Sequence, residues 1–579
     1  GPGALTLGPA VAVAVAASHS ACGPRTEPAD LVLRNGKVVT VDSTRPRAEA
    51  LAVRGDRIVA VGSDAEIARY VGPGTRVVDL RGRLAIPGFI EGHGHFLGLG
   101  ESKTILDLSR AGSWDEIVAT VADAAARARP GEWILGRGWH QEKWDRVPPD
   151  TVEGVPTHAS LSRVTPENPV LLEHASGHAA FANAKALERA GITGRTPDPP
   201  GGQIVRDRQG RPTGLLRETA QRLVGRALEE DRGRRSPDEV EAEMRRWVEL
   251  AGREALSHGV TTFHDAGASL ETIEFYRRLA DEGALPVRLY VMVRYAPHDV
   301  LAEALPRVRT VGYANHFLTV RAIKKQVDGA LGSHGAWLLE PYEDMPGHTG
   351  LVLEPLEEIE RTAELAVEHG FQLNTHAIGD RANREILDLY GRVFRRHPER
   401  TDLRWRIEHA QHLHPDDIPR FAELGVIASV QAIHATSDGP WVPRRLGERR
   451  TREGAYAWRR LLDAGAIVTN GTDTPVEPID PVACFYAAVT RRMANGEVFV
   501  PEQRMTREEA LRSYTWANAY AAFEEELKGT LRPGKLADIV VLSRDILTVP
   551  EEEILGTRVD LTILGGRIVY ERAEAAAAR

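Results

Sequence analysis

The chain has 579 residues, enough for a barrel-sized domain and a smaller one, because single cores rarely grow past about 250–300 residues. Apolar residues make up 42% and charged residues 27%, the balance of a globular chain, which excludes collagen, coiled coil and wholesale disorder. A formal charge of −9 without basic runs argues against nucleic acid as a partner, and two cysteines, Cys22 and Cys484, are too few for a disulfide framework or a thiolate zinc site.

Residues 5–17 form an Ala/Val-rich run ahead of Cys22, like the end of a bacterial lipoprotein signal and too short to span a bilayer. Residues 1–28 are therefore expected to be an N-terminal extension with a signal remnant. An exported, periplasmic lipoprotein is slightly favoured over a cytoplasmic enzyme, the membrane being met only through a lipid anchor; His19 fits such a cleavage site badly.

From 29 to 86 short alternating runs follow one another, DLVLR, KVVTV, ALAV and RIVAV, and Asn35-Gly36 between the first two predicts a hairpin. The same grammar returns in 530–572, where ADIVVL and DLTIL precede Gly565-Gly566. The two ends are expected to pair into one small β-sandwich domain.

Between them, residues 87–529 alternate β-type runs at 261–264, 287–292, 321–323, 372–376, 404–409, 426–430 and 466–469 with helical stretches. That order predicts an α/β chain with a TIM-like (β/α)8 barrel, whose active site lies at the C-terminal ends of the strands. Residues from about 100 to 252, rich in Trp, Pro and Gly, read as a long insertion after strand 1. In it Trp139, His140 and Trp144 are expected to wall an apolar pocket or lid, and His178 to touch substrate. An Ala-rich tail runs from Ala573.

The segment PGFIEGHGH (87–95) puts His93 and His95 two residues apart, on one face of a strand, with glycines that let a metal and substrate approach the backbone. Lys324, His376, His409 and Asp473 then follow, each at the end of a later run. Of the neighbours Lys324 and Lys325 only one can face the barrel mouth. His264 and Asp265 are candidates for orienting a ligand, and Glu408 is expected to alternate outward behind the barrel.

In this order the chain resembles the amidohydrolase superfamily, and within it the YtcJ-like group called amidohydrolase family 3. The matching stretches are PGFIEGHGH, KKQVDGALGS (324–333), NTHAIGDRAN (374–383), RIEHAQ (406–411), SVQAIHATSD (429–438), GTDTPVE (471–477), residues 509–520 and GTLRPGKLADIVV (529–541), spanning nearly all of 29–570. The resemblance implies His93 and His95 as ligands of one metal and His376 and His409 of a second, with Asp473 a ligand and proton shuttle. Lys324, as a carbamate, would bridge them. It also implies that the second metal or His434 polarises the substrate carbonyl and that His434 and Asp438 face substrate. Lys325-Gln326 departs from the family's apolar pair before Asp328, and Thr472 stands where serine is usual.

The expected activity is hydrolysis of a C–N bond other than a peptide bond, in an amide or N-acyl or formamide-like substrate, by a zinc-activated hydroxide. One or two divalent ions, zinc or another, would serve, and the expected partners are a small-molecule substrate and a second copy of the chain. Two other readings use the same residues: a deaminase or esterase, and a catalytically silent metal-binding or regulatory protein. A metal-free glycosidase built on Glu91, Glu408 and Asp328 leaves the aligned His and Asp positions unexplained.

Overall fold

The computed structural model describes residues 26–146 and 148–573; the expected signal remnant around Cys22 and residues 574–578 of the Ala-rich tail lie outside them. Eight parallel strands follow one another: β1 (Phe89–Gly94), β2 (Val260–Ala268), β3 (Arg288–Val293), β4 (Leu318–Gln326), β5 (Gln372–Ala377), β6 (Arg406–His409), β7 (Ile427–Val430) and β8 (Val468–Asn470). Each is laddered to the next, and their residues are buried almost throughout, as expected for a parallel sheet covered on both faces. Helices such as Leu356–His369 and Asp380–Arg396 pack one apolar stripe against its outside. The chain is thus a TIM-like barrel, and among the described residues no helix is long and apolar enough to cross a membrane.

No ladder joins β8 to β1 among the described residues. The seam is closed instead by helix α1 (Trp516–Ala521), where the Asn518 amide donates to the carbonyls of Ile90 and Asn470 at 2.7 and 2.8 Å. Strand-edge groups that would be orphaned are thereby satisfied. The loop after β8 continues the lacing: the Asp473 N–H donates to the His93 carbonyl and the His95 N–H to the Thr474 carbonyl, both at 2.8 Å. Glycine makes this approach feasible. A Cβ on Gly92 would lie 2.5 Å from the Asn470 oxygen, and one on Gly471 would lie 2.7 Å from the His93 nitrogen. The glycines around His93 therefore serve barrel packing, where the sequence suggested room for a metal.

The insertion carries a sheet of its own, in the order Gly202–Arg206, Pro212–Glu218, Ala179–Ala182, Val170–His174, Ile134–Trp139, Leu106–Asp107. Its core is separate from that of the barrel, built on Trp114, Ile117, Trp139, Leu172 and Phe181. The barrel resumes with the helix Pro237–Ser257, started by a Ser236–Glu239 capping box with Pro237 at the first turn, whose Val248, Ala251 and Ala255 join the main core.

The two chain ends share a sheet: Ile539–Leu542 pairs with Leu84–Pro87 on one side and Val559–Leu564 on the other. A four-stranded sheet built on Leu31–Arg34, Ala50–Arg54, Arg57–Gly62 and Arg76–Asp79 packs against it through Leu31, Leu33, Val53, Ile539 and Val541. The Asn35-Gly36 hairpin expected from sequence is absent. Leu31–Arg34 and Lys37–Val39 belong to different sheets, and the chain crosses between them there, the Asn35 N–H donating to Asp64 at 2.8 Å. Asn35 alone has positive φ, whereas the type I′ turn that Asn-Gly favours needs it at both positions; Gly565 and Gly566, with φ of 55° and 76°, meet that need and do join Val559–Leu564 to Arg567–Glu571.

Candidate active site

β1 brings His93 and His95 to the C-terminal mouth, and the loop after β8 swings Asp473 across the seam to meet them. Asp473 Oδ1 lies 3.4 Å from His93 Nε2 and 3.2 Å from His95 Nε2. His409 follows within 4.7 Å of His93, centroid to centroid, and His376 within 4.5 Å of His409. Lys324, buried on β4, lines the same cavity. Its neighbour Lys325 points the other way and pairs with Glu354 at 2.9 Å, which resolves the ambiguity between the two lysines.

Protonation states suit ligation. Burial, then the nearby Lys324, brings His93 down to about 4; burial and neighbouring imidazoles hold His376 and His409 well below the usual histidine range. All three rings are neutral near pH 7 and can donate a lone pair. Asp473, despite burial, is held well below the usual carboxylate range by His93 and His95. Burial, reinforced by Arg294, brings Lys324 down to about 7, so that a large fraction is free amine at neutral pH.

The buried Nε2 atoms of His93 and His376 make no hydrogen bond within the protein. Two orphaned ring nitrogens beside a carboxylate oxygen call for a cation, and a His and carboxylate donor set is one that zinc accepts. The residues present therefore fit a divalent ion, with His93, His95 and Asp473 close enough to share one.

Behind this set lies a chain of contacts. Glu408 accepts from His93 Nδ1 in a short hydrogen bond and lies 3.0 Å from Arg406, whose guanidinium also donates to His264 at 3.2 Å. Glu408 is wholly buried inside the barrel; burial opposes its charge, but Arg406 and His93 hold it well below the carboxylate range. Its expected outward orientation is thus corrected. The cause is local backbone: His409 and Ala410 take φ of 79° and 43°, which breaks strand alternation and lets Glu408 and His409 both face inward. His409 Nδ1 in turn contacts Gln431 at 2.7 Å.

The other carboxylates weighed for a metal-free site are engaged in support. Glu91 accepts from the Thr472 N–H and from Tyr514 at 2.9 Å, bracing the Asp473 loop. Asp328 accepts from the backbone of Trp337, Ile378 and Gly379, ordering the turn after His376. Asp265 accepts from Tyr276 at 2.8 Å.

A cavity of about 480 Å³ opens over the ligand set, and a lobe of about 60 Å³ adjoins it, the two meeting at His178, His409, Asp473 and Val476. His434 and Asp438 line the small lobe; Gln411 contacts His434 Nδ1 at 3.0 Å, and Tyr456 donates to Asp438 at 2.6 Å. The insertion supplies His178, 5.1 Å from His376 between ring centroids and paired with Glu218 at 2.8 Å. Trp139 does not reach either lobe. It is buried in the insertion core, its indole donating to the Leu172 carbonyl at 2.8 Å, so its expected place against substrate is corrected; His140 does line the small lobe. Gln431, Gln411, Glu218 and Arg294 were missed: Gln411 and Gln431 lie inside RIEHAQ and SVQAIHATSD without standing out there, and nothing local marks Glu218 or Arg294.

A (β/α)8 barrel with four histidines and an aspartate gathered at its C-terminal mouth defines a hydrolase-type centre. The profile of the amidohydrolase family matches residues 76–570. The chain is 31% identical to the putative amidohydrolase YtcJ of Bacillus subtilis and 30% identical to the N-substituted formamide deformylase of Arthrobacter pascens, covering 94% of this chain and 99% of theirs in both cases. An uncharacterised metal-dependent hydrolase from Pyrococcus horikoshii superposes with a TM-score of 0.71 at 28% identity, covering 90% of this chain and 99% of that one. The chain belongs to the amidohydrolase family, in its YtcJ-like group.

Proposed function

We propose that the protein is a metal-dependent amidohydrolase that cleaves an amide or N-acyl bond of a small molecule. The carrying observation is the convergence of neutral His93, His376 and His409 with anionic Asp473, two of the ring nitrogens buried without a hydrogen bond. His93, His95, His376, His409 and Asp473 would hold one or two divalent ions, zinc fitting the donors best, with Lys324 joining them as a carbamate. Such an ion, when bound, lowers the pKa of a water from about 15.7 to near 7.

Asp473 is the residue positioned to take the proton of the attacking water and hand it to the leaving nitrogen. His434, anchored through Nδ1 to Gln411, leaves a buried Nε2 without a partner for the substrate carbonyl. Glu408 keeps His93 in one tautomer and orientation. The formamide deformylase relative supports a short acyl group, since the small lobe has room for only a few atoms.

The test is zinc analysis with a panel of N-formyl and N-acetyl amines. The parent should bind zinc and turn over at least one of them, and Asp473→Asn should lower kcat by about 10²–10⁴ while keeping zinc. Zinc binding with no turnover of any amide would favour the silent reading; full activity in the variant would remove Asp473 as the shuttle.

A further inference from the structure

We infer that the large lobe takes a substrate whose portion distal to the scissile bond carries a carboxylate, recognised by Arg294 at the end of β3. This deepens the function proposed above and rests on it for the position of the scissile bond alone.

The cavity wall has four carboxylates, and each has a partner. Glu101 pairs with Arg232 at 2.7 Å, Glu173 with Arg137 at 3.5 Å and Glu218 with His178 at 2.8 Å, while Asp473 lies between His93 and His95. Two arginines of the same wall, Arg294 and Arg222, have no acidic partner among the described residues. Arg222 is exposed, so water can satisfy it. Arg294 is half-buried. Its one hydrogen bond goes to the neutral amide of Gln326, which cannot neutralise it. A guanidinium withdrawn from water without a counter-charge costs free energy, and an anion that entered the cavity would recover it.

Two neighbours fix where that anion would sit. The Arg294 guanidinium lies 4.7 Å from the centroid of the Tyr295 ring, which holds the planar fork by cation–π contact. Tyr295 is 65% exposed and takes a φ of 67°, a left-handed conformation rare for an aromatic residue. Strained residues of this kind cluster at ligand sites. Arg294 lines the same cavity as Lys324 and His376, and its charge lowers the basicity of both. The arrangement suits a small amide with a carboxylate a few atoms from the bond and an apolar or aromatic face against Tyr295.

The test compares N-formylphenylalanine with N-formylphenethylamine, which differ only by the carboxylate; with the formyl group in the small lobe, the amine portion reports on the large one. Affinities are measured by calorimetry in the zinc-loaded Asp473→Asn protein, where no turnover intervenes. The carboxylate should tighten binding about tenfold or more. Arg294→Gln should abolish that advantage and leave N-formylphenethylamine unchanged, with Arg294→Lys retaining part of it. Equal affinities for the pair, or an advantage that survives Arg294→Gln, would overturn the inference. If Arg294→Gln does not fold, Arg294→Lys in the same background decides, a carboxylate advantage undiminished there overturning the inference. Should no member of the N-formyl and N-acetyl panel be hydrolysed by the active protein while the binding difference stands, the function proposed above falls and this one does not.

Discussion

The two halves of the ligand set are held by different means. His93 is braced by buried charge, through Glu408 and Arg406, and the Asp473 loop by hydrogen bonds to Glu91, while His409 leans on the neutral amide of Gln431 and His376 on a turn ordered by Asp328. A charged brace fixes a ring strongly but makes every member depend on the others, because deleting one strands a buried charge. An amide brace is weaker and fails alone. The half of the site that also closes the barrel seam is thus the half that depends on intact ion pairs.

The largest effect should come from Glu408→Ala, which leaves Arg406 buried and unpaired. We expect a loss of about 3–5 kcal/mol in denaturant unfolding and a fall of about 10–100-fold in zinc affinity measured against a chelator. Parent-like affinity would mean that charge bracing of His93 is irrelevant to the metal. A smaller effect is expected of Gln431→Ala, about 1 kcal/mol, or a fewfold change in zinc affinity, with unfolding otherwise unaltered. If the two variants proved equal, the contrast between the halves would dissolve.

The subtlest test is pH. Burial pushes Glu91 up to about 8, against an ordinary 4.5, so the folded state binds this proton more tightly than the unfolded chain. Stability from Glu91 is present at low pH and is lost as pH rises from about 4.5 to about 8. Glu91→Gln keeps an acceptor oxygen for the Thr472 N–H, turns an amide NH2 toward Tyr514 and has no proton to lose, so the parent-minus-variant difference in melting temperature should fall across that window. A flat difference would mean that Glu91 is ionised throughout.

Much of this was legible in the sequence. Several β runs end on His or lead into Lys or Asp, as the barrel dictates, since only strand ends reach its mouth. His93, His376, His409 and Asp473 were therefore readable together. Glu408 was misread because strand periodicity cannot foresee a left-handed turn at His409. The Asn35-Gly36 dipeptide carries a genuine turn preference, but which sheet each neighbouring run joins is a tertiary choice. Trp139 illustrates the same limit: a tryptophan in a long insertion signals a pocket or a core with equal force until the insertion's own sheet is seen. Arg294 has no motif at all; it stands out only when every other charge on the wall has been paired.

The seam between β1 and β8 has a consequence for how the protein is made. Glu91 and the Thr472 amide that contacts it are 381 positions apart in the chain, among its most distant contacts. Pairings of such separation are entropically the slowest to form, so closure of this joint falls late in folding. Asp473 meets His93 and His95 only once all eight strands stand in order, so a chain still on the ribosome, or a barrel missing its last strand, carries the histidines without the acid that completes them. Assembly of the reactive centre thereby doubles as a check that synthesis and folding have finished.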